Sequence, residues 1–322
     1  VKRTALIVAL LSPAAPAAGD PAFSVPIDCT LGETCHIQQY TDLDPGPGAT
    51  DYTCGPLSYD GHKGTDFALP TLKEMQAGVD VLAAAPGTVT AVRDGMSDVA
   101  ATPETAATIA GRECGNGVVV SHGDGWETQY CHLKRGSVAV EPGRQVDAKS
   151  VLGQVGLSGD TQFPHVHLSV RHEDAVVDPF APDADATCGT SGRTLWEDPP
   201  LYASGGLIDA GFAAGIPDYA QVKAGEAGSD TLSATAPALV VWGYAFGSRT
   251  GDEMILRIDG PEGEVIAERV PLDKTQAQLF RAVGRRTPPE GWTPGTYSGE
   301  VRLMRDGQEI DRRSVDLTVS AQ

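Results

Sequence analysis

The segment Phe163-Pro164-His165-Val166-His167-Leu168-Ser169-Val170 constrains this chain more than any other. Val166, Leu168 and Val170 alternate with His165, His167 and Ser169, which is the period of a β-strand with side chains on opposite faces. The aliphatic side can pack a core, and the two imidazoles then project together from the other side. Burying two imidazoles without partners is costly, and a metal or a hydrogen-bonded site removes that cost. For this motif alone, a half-exposed strand whose polar face carries histidines is the plainer alternative.

Two further motifs bear on that choice. In His62-Lys63-Gly64-Thr65-Asp66 the central glycine favours a turn over a helix, and a turn can aim His62 and Asp66 at one point. Read alone, the motif is equally a surface loop with a turn-capping Asp. Tyr130-Cys131-His132-Leu133 ends the second strand of an expected hairpin over 117–132. Regular alternation puts Tyr130 and His132 on one face and Cys131 on the other, so that Cys131 pairs away from the site. Read alone, His132 is a satisfied polar residue at a sheet edge. Imidazole and carboxylate are the usual non-thiolate ligands of zinc, and a catalytic zinc takes three protein ligands and leaves one position open. The five groups would supply three ligands and leave two histidines for acid–base work. His36, His122 and His172 match no motif and are expected at the surface.

The rest of the chain frames these motifs. Its 322 residues are enough for two domains. Basic Val1-Lys2-Arg3, the apolar run Ala5 to Leu11 and Ala15-Pro16-Ala17 read as a cleaved signal peptide over 1–18. A membrane anchor is the rival, but the run is too short to span a bilayer, and no later stretch is long enough. A turn-rich lead segment is expected over 19–60. Residues 61–182 read as β-rich, with two short strands over 79–92 joined at Pro86-Gly87 and an inserted loop over 94–113 holding one helical turn. Further short strands are expected at 138–140, 146 and 151–156. Such close spacing suits an antiparallel sheet better than βαβ units. Residues 183–229 read as an irregular connector with a short helix near 207–222. Over 230–322 about seven short strands suggest an immunoglobulin-like β-sandwich. That region contains neither cysteine nor histidine, so no chemistry is assigned to it. Its aromatics Trp242, Tyr244, Phe246, Trp292 and Tyr297 are expected in the core rather than on a carbohydrate platform.

Cys29, Cys35, Cys54, Cys114, Cys131 and Cys188 are an even set, as disulfides of an oxidising compartment require. Cys29 and Cys35 close a short loop, and Cys114 and Cys131 flank the hairpin, which would leave Cys54 with Cys188. Sequence alone does not choose among the connectivities. A second zinc site on cysteines is the rival, but no C-x-x-C pair is present. The net charge of −19 argues against nucleic acid and anionic membrane surfaces as partners. Solubility alone accounts for it.

Taken together, H-x-G-x-D, Y-x-H-L and H-x-H, in this order, resemble the lysostaphin-type zinc metallopeptidases, the LytM-like enzymes that cleave peptidoglycan. The resemblance extends through Val81 to Val89, Gly115 to Gly123 and Gly153 to Gly159, and spans roughly residues 60–180. It implies a mainly β, antiparallel metallopeptidase domain of the lysostaphin-like, duplicated hybrid motif type. It implies that His62, Asp66 and His167 ligate Zn2+ and that His132 and His165 are the catalytic pair. The activity implied is that of an exported zinc metalloendopeptidase, periplasmic or extracellular, hydrolysing cross-links or stem peptides of peptidoglycan by a zinc-activated water. The alternative is a non-catalytic or latent regulator of a cell-envelope amidase, and a peptidase of soluble proteins is a third reading. The C-terminal sandwich would bind the wall or an envelope protein partner, or act as a spacer. Two departures stand out: Cys131 where the family often has alanine, and Gln162-Phe163-Pro164 where Thr-Gly-Pro is more usual. The second is expected to alter the floor of the substrate groove without touching a ligand.

Overall fold

In the computed structural model, residues 19–183, 188, 189 and 192–321 are described; the expected signal segment 1–18 lies outside them. Short alternating runs punctuated by glycine make the N-terminal strands. These are β1 (His36–Gln39), β2 (Thr65–Ala68), β3 (Asp80–Leu82), β4 (Gly87–Arg93), β5 (Asn116–Gly123), β6 (Trp126–Leu133), β7 (Gln145–Val146), β8 (Val151–Gln154), β9 (His165–His172) and β10 (Ala175–Val176). Helix α1 (Leu72–Ala77) follows β2, and the single turn α2 (Ala106–Ile109) lies in the inserted loop. One antiparallel sheet runs β1-β2-β9-β6-β5-β4-β7, with β10 beside β9, and β3 pairs separately with β8. Val118 and Val120 of β5 and Val166, Leu168 and Val170 of β9 face a common core with Phe67, Tyr130 and Leu133. The β5–β6 hairpin turns at Asp124 and Gly125, both at positive φ, as a tight two-residue turn demands. Residues 138–140, expected as a strand, form none; Ala139 makes one backbone bond to Leu152.

The lead segment is built into this domain. Phe23, Ile27 and Tyr40 are buried in its core, and β1 pairs with β2, the strand carrying Asp66. The disulfides are Cys29–Cys35, Cys54–Cys188 and Cys114–Cys131. Closing a long loop restricts the unfolded chain most, so Cys54–Cys188, 134 residues apart, is expected to stabilise most of the three.

The second half carries β11 (Gly206–Ala213), helix α3 (Tyr219–Ala224), β12 (Thr231–Ser233), β13 (Ala238–Ser248), β14 (Glu253–Gly260), β15 (Gly263–Pro271), β16 (Gln276–Arg286), β17 (Gly295–Arg305) and β18 (Gln308–Ser320). Sheet β11-β13-β16 packs against sheet β12-β18-β17-β14-β15 over a core that includes Leu239, Val241, Leu256, Val301 and Leu317. Taking β13, β14, β16, β17 and β18 as strands B, C, E, F and G puts B and E in one sheet and C, F and G in the other. Near the start of β17, the Tyr297 hydroxyl donates to the Thr293 carbonyl at 3.0 Å, in the manner of a tyrosine corner. Both observations support the immunoglobulin-like reading. The five aromatics named above are all buried.

Strand β11 corrects the helix expected near 207–222, of which only α3 forms. Gly211 has no room for a Cβ, which would meet the Trp242 ring at 2.7 Å, and at Gly206 it would meet the Phe246 ring at 2.9 Å. The small residues that suggested a connector are thus the floor on which the aromatics of β13 lie. His36 is a second correction. It is buried between the two halves with its ring 4.4 Å from that of Phe246, and burial pushes its pKa down to about 4. Beside it, Gln38 donates to the Ala277 carbonyl and accepts from Gln278, so the sandwich docks on the edge strand of the N-terminal sheet.

Candidate metal centre

The register of β2 on β9 sets Asp66 opposite His167, and residues directly opposite in an antiparallel pair share a face. His62 comes to the same point from the turn before β2. Its Nδ1 lies 2.7 Å from the Tyr40 carbonyl. A carbonyl only accepts, so Nδ1 carries the proton and Nε2 is left as a lone pair. That Nε2 stands 3.2 Å from Asp66 Oδ1 and 3.1 Å from His167 Nδ1, and the last two atoms are 2.8 Å apart. Gly64 makes this approach possible. A Cβ there would meet the Leu168 carbonyl at 2.4 Å and His167 Nε2 at 2.7 Å.

Three acceptor-type atoms converge on one point in a buried place. Such a cluster is unfavourable without a proton or a cation between its members. Donors bound to a tetrahedral zinc at roughly 2.0–2.1 Å stand about 3.3 Å apart, close to the spacing seen. His62, Asp66 and His167 therefore fit a zinc ion in both donor type and spacing. Burial opposes charge on His62, but the Asp66 carboxylate, with the Tyr40 carbonyl, outweighs it and raises the His62 pKa. Burial likewise opposes charge on Asp66, yet the neighbouring imidazoles of His62 and His165, with His167 also within hydrogen-bond reach, hold it well below the usual carboxylate range. The site is a ready anion facing imidazoles.

His132 and His165 stand beside this cluster. Their rings are 4.6 Å apart, and His165 Nε2 is 3.4 Å from Asp66 Oδ1. His165 Nδ1 lies 3.0 Å from the Phe163 carbonyl, and His132 Nδ1 lies 2.8 Å from the Ser158 carbonyl. Both rings thus carry a proton on Nδ1; His132 Nε2 is left free, and His165 Nε2 faces Asp66 Oδ1. Burial, then the neighbouring His165 and His167, push the pKa of His132 well below its ordinary value, so it is a neutral base at pH 7.

His132 reaches the site in an unexpected way. Cys131 is the residue opposite His167, and Tyr130, opposite Leu168, faces the core. Strict alternation would send His132 to the core with Tyr130. Instead its φ is 64°, in the left-handed region, which breaks the alternation and swings the ring to the site face. That conformation costs a non-glycine residue about 1–2 kcal/mol. The expectation that Tyr130 and His132 share a face and that Cys131 points away is therefore overturned; the Cys114–Cys131 disulfide lies on the site's side of the sheet.

All five sequence-derived groups come together. Sequence reasoning missed what holds them: the carbonyls of Tyr40, Ser158 and Phe163, and Thr161, whose hydroxyl is 3.1 Å from His165 Nδ1. It also missed the Tyr59 ring, 4.5 Å from that of His62. The Phe163 ring stacks on His165 at 4.5 Å, so the departure from Thr-Gly-Pro bears on a histidine outside the ligand cluster. Carbonyl contacts leave no trace in residue type; an aromatic three residues before His62 was the only readable signal.

Residues 60–179 match the model of Peptidase family M23. A 68-residue stretch is 40% identical to the cell division protein DipM of Caulobacter vibrioides, covering 21% of this chain and 11% of that protein. The chain thus spans about a tenth of that relative's length. Among solved structures, a zinc containing peptidase from Vibrio cholerae is similar at 24% identity and TM-score 0.34, over 49% of this chain and 39% of that one. The catalytic domain of the prophage-encoded M23 protein EnpA of Enterococcus faecalis is similar at 24% identity and TM-score 0.32, over 52% of this chain and 96% of that one. The catalytic domain of lysostaphin from Staphylococcus simulans is similar at 21% identity and TM-score 0.28, over 44% and 85%. Over residues 60–179, the chain is thus similar to the peptidases of family M23.

Proposed function

We propose that this protein is a zinc metalloendopeptidase that hydrolyses peptide cross-links or stem peptides of peptidoglycan, with His62, Asp66 and His167 as metal ligands and His132 and His165 as catalytic residues. The observation that carries the reading is the convergence of three acceptor atoms within 2.8–3.2 Å beside two imidazoles locked in the Nδ1–H tautomer. Zinc bound there supplies Lewis acidity, bringing the pKa of a water toward neutrality and polarising a scissile carbonyl. His132 Nε2 is the free base that takes the proton of the attacking water, and it passes that proton to the leaving amine. The neighbouring His165 would accept from the other hydrogen of that water through Nε2 and so orient it for attack. Asp66 fixes the position of three imidazoles and offsets the positive charge they gather.

Retention of all five groups favours turnover over a purely regulatory role in a cell envelope. The three disulfides suit an oxidising compartment, and an exported protein, periplasmic or extracellular, is the corresponding proposal. No helix among the described residues is long and apolar enough to cross a membrane. The sandwich, docked through Gln38 on the sheet edge, is proposed to bind an envelope partner. The test is His132→Ala, with zinc content and release of peptides from purified sacculi measured together. Lost release with zinc still stoichiometric is expected, and retained release would remove His132 from the mechanism.

A further inference from the structure

We infer that Asn116 is a positioning residue that acts through His132, holding it in the left-handed conformation that turns its imidazole from the core face of β6 to the site. The inference rests on the reading of His132 as the proton carrier. The ladder of β6 with β9 ends at Cys131 opposite His167, so the backbone groups around His132 find no partners on β9. They are caught elsewhere. The His132 N–H donates to the Cys114 carbonyl at 2.8 Å. The Leu133 carbonyl accepts from Asn116 Nδ2 at 3.0 Å and from Ser158 Oγ at 2.7 Å. Both lone pairs of that carbonyl are thereby taken, and a residue held at both ends cannot relax to an extended φ without breaking them.

Only a carboxamide performs the whole task at position 116. Asn116 is fully buried; its Oδ1 accepts from the Met96 N–H at 2.8 Å, while Nδ2 donates to both the Met96 and the Leu133 carbonyls. Aspartate can accept but not donate, and leucine can do neither. The Asn116 N–H in turn donates to Ser158 Oγ, and the Ser158 carbonyl is the group that fixes His132 Nδ1. Asn116, Ser158 and Cys114 therefore form one cage around a single strained residue, and the inserted loop is tied into it through Met96.

The test uses the zinc-loaded full chain and its Asn116→Asp variant, with a purified cross-linked muropeptide dimer as substrate. The expected result is a roughly 100-fold fall in kcat with KM and zinc content unchanged, since misplacement of a catalytic group is felt in the transition state. Nitrogen-15 NMR should show the His132 ring losing its single Nδ1–H tautomer, and its amide exchanging at least about tenfold faster. Unchanged kcat in the folded variant, or an unmoved His132 tautomer and amide, would overturn the inference. If Asn116→Asp does not fold, Ser158→Ala carries the same readings, because it removes one donor to Leu133 while leaving the carbonyl on His132. A wild-type chain that binds zinc but releases no peptide would count against the peptidase reading alone, and the tautomer and exchange measurements would then decide the inference.

Discussion

The sandwich buries Leu239, Leu256, Val301 and Leu317 between two sheets and sets no imidazole among them, whereas the N-terminal sheet gathers four imidazoles and a carboxylate on one face. In the first region stability comes from apolar area, and many side chains of similar size would serve. On the site face of the second the arrangement depends instead on named donors and acceptors, which hold a histidine at φ 64°. The sandwich is thus expected to tolerate change in proportion to volume, and the site to fail by single atoms.

The comparison is broken most readily by removing one imidazole. His132→Ala should lower turnover about a thousandfold or more without loss of zinc; a variant still near wild-type rate on sacculi would erase the distinction. The counterpart in the sandwich is Leu256→Ala. Leu256 is fully buried, and the truncation should cost about 2–5 kcal/mol in denaturant unfolding, with zinc content and turnover unchanged at a temperature where the variant is folded. Loss of zinc in that variant would mean that the halves are not energetically separate.

Asp178 sharpens the contrast through pH. Burial is the main cause that raises its pKa from 3.8 to about 7, and its Oδ2 has no hydrogen-bond partner among the described residues. The native state therefore keeps a proton that the unfolded chain releases, so this group lowers stability as pH rises from about 4 to about 7. Below that window both states are protonated; above it the full penalty stands. Asp178→Asn should match wild type near pH 4 and exceed it by roughly 2–4 kcal/mol above pH 7. A gap that does not grow with pH would place the proton elsewhere. The smallest expected effect is at Gly64. Gly64→Ala pushes a methyl onto the Leu168 carbonyl and His167 and should weaken zinc binding about 10–100-fold, measured by chelator competition. Unaltered affinity would show that the ligand turn has slack.

The contrast also explains what the sequence made readable. Side-chain identity and period pointed to the five groups that the fold brings together, the β5–β6 hairpin and the aromatic core, because each depends on residue type. Strand β11 was hidden because its glycines are defined by the rings of Trp242 and Phe246, distant in the chain. The face of His132 was misread because alternation assumes extended backbone, and the kink is imposed by Cys114, Asn116 and Ser158 from across the fold. The burial of His36 depends on a docking surface that no local pattern encodes.

The most direct test of the account is zinc content of the purified protein together with peptide release from sacculi, for wild type and His167→Ala. The account predicts one zinc per chain and release in the wild type, and neither in the variant. A wild-type protein that takes up no zinc would contradict the assignment of His62, Asp66 and His167, and with it the proposed chemistry.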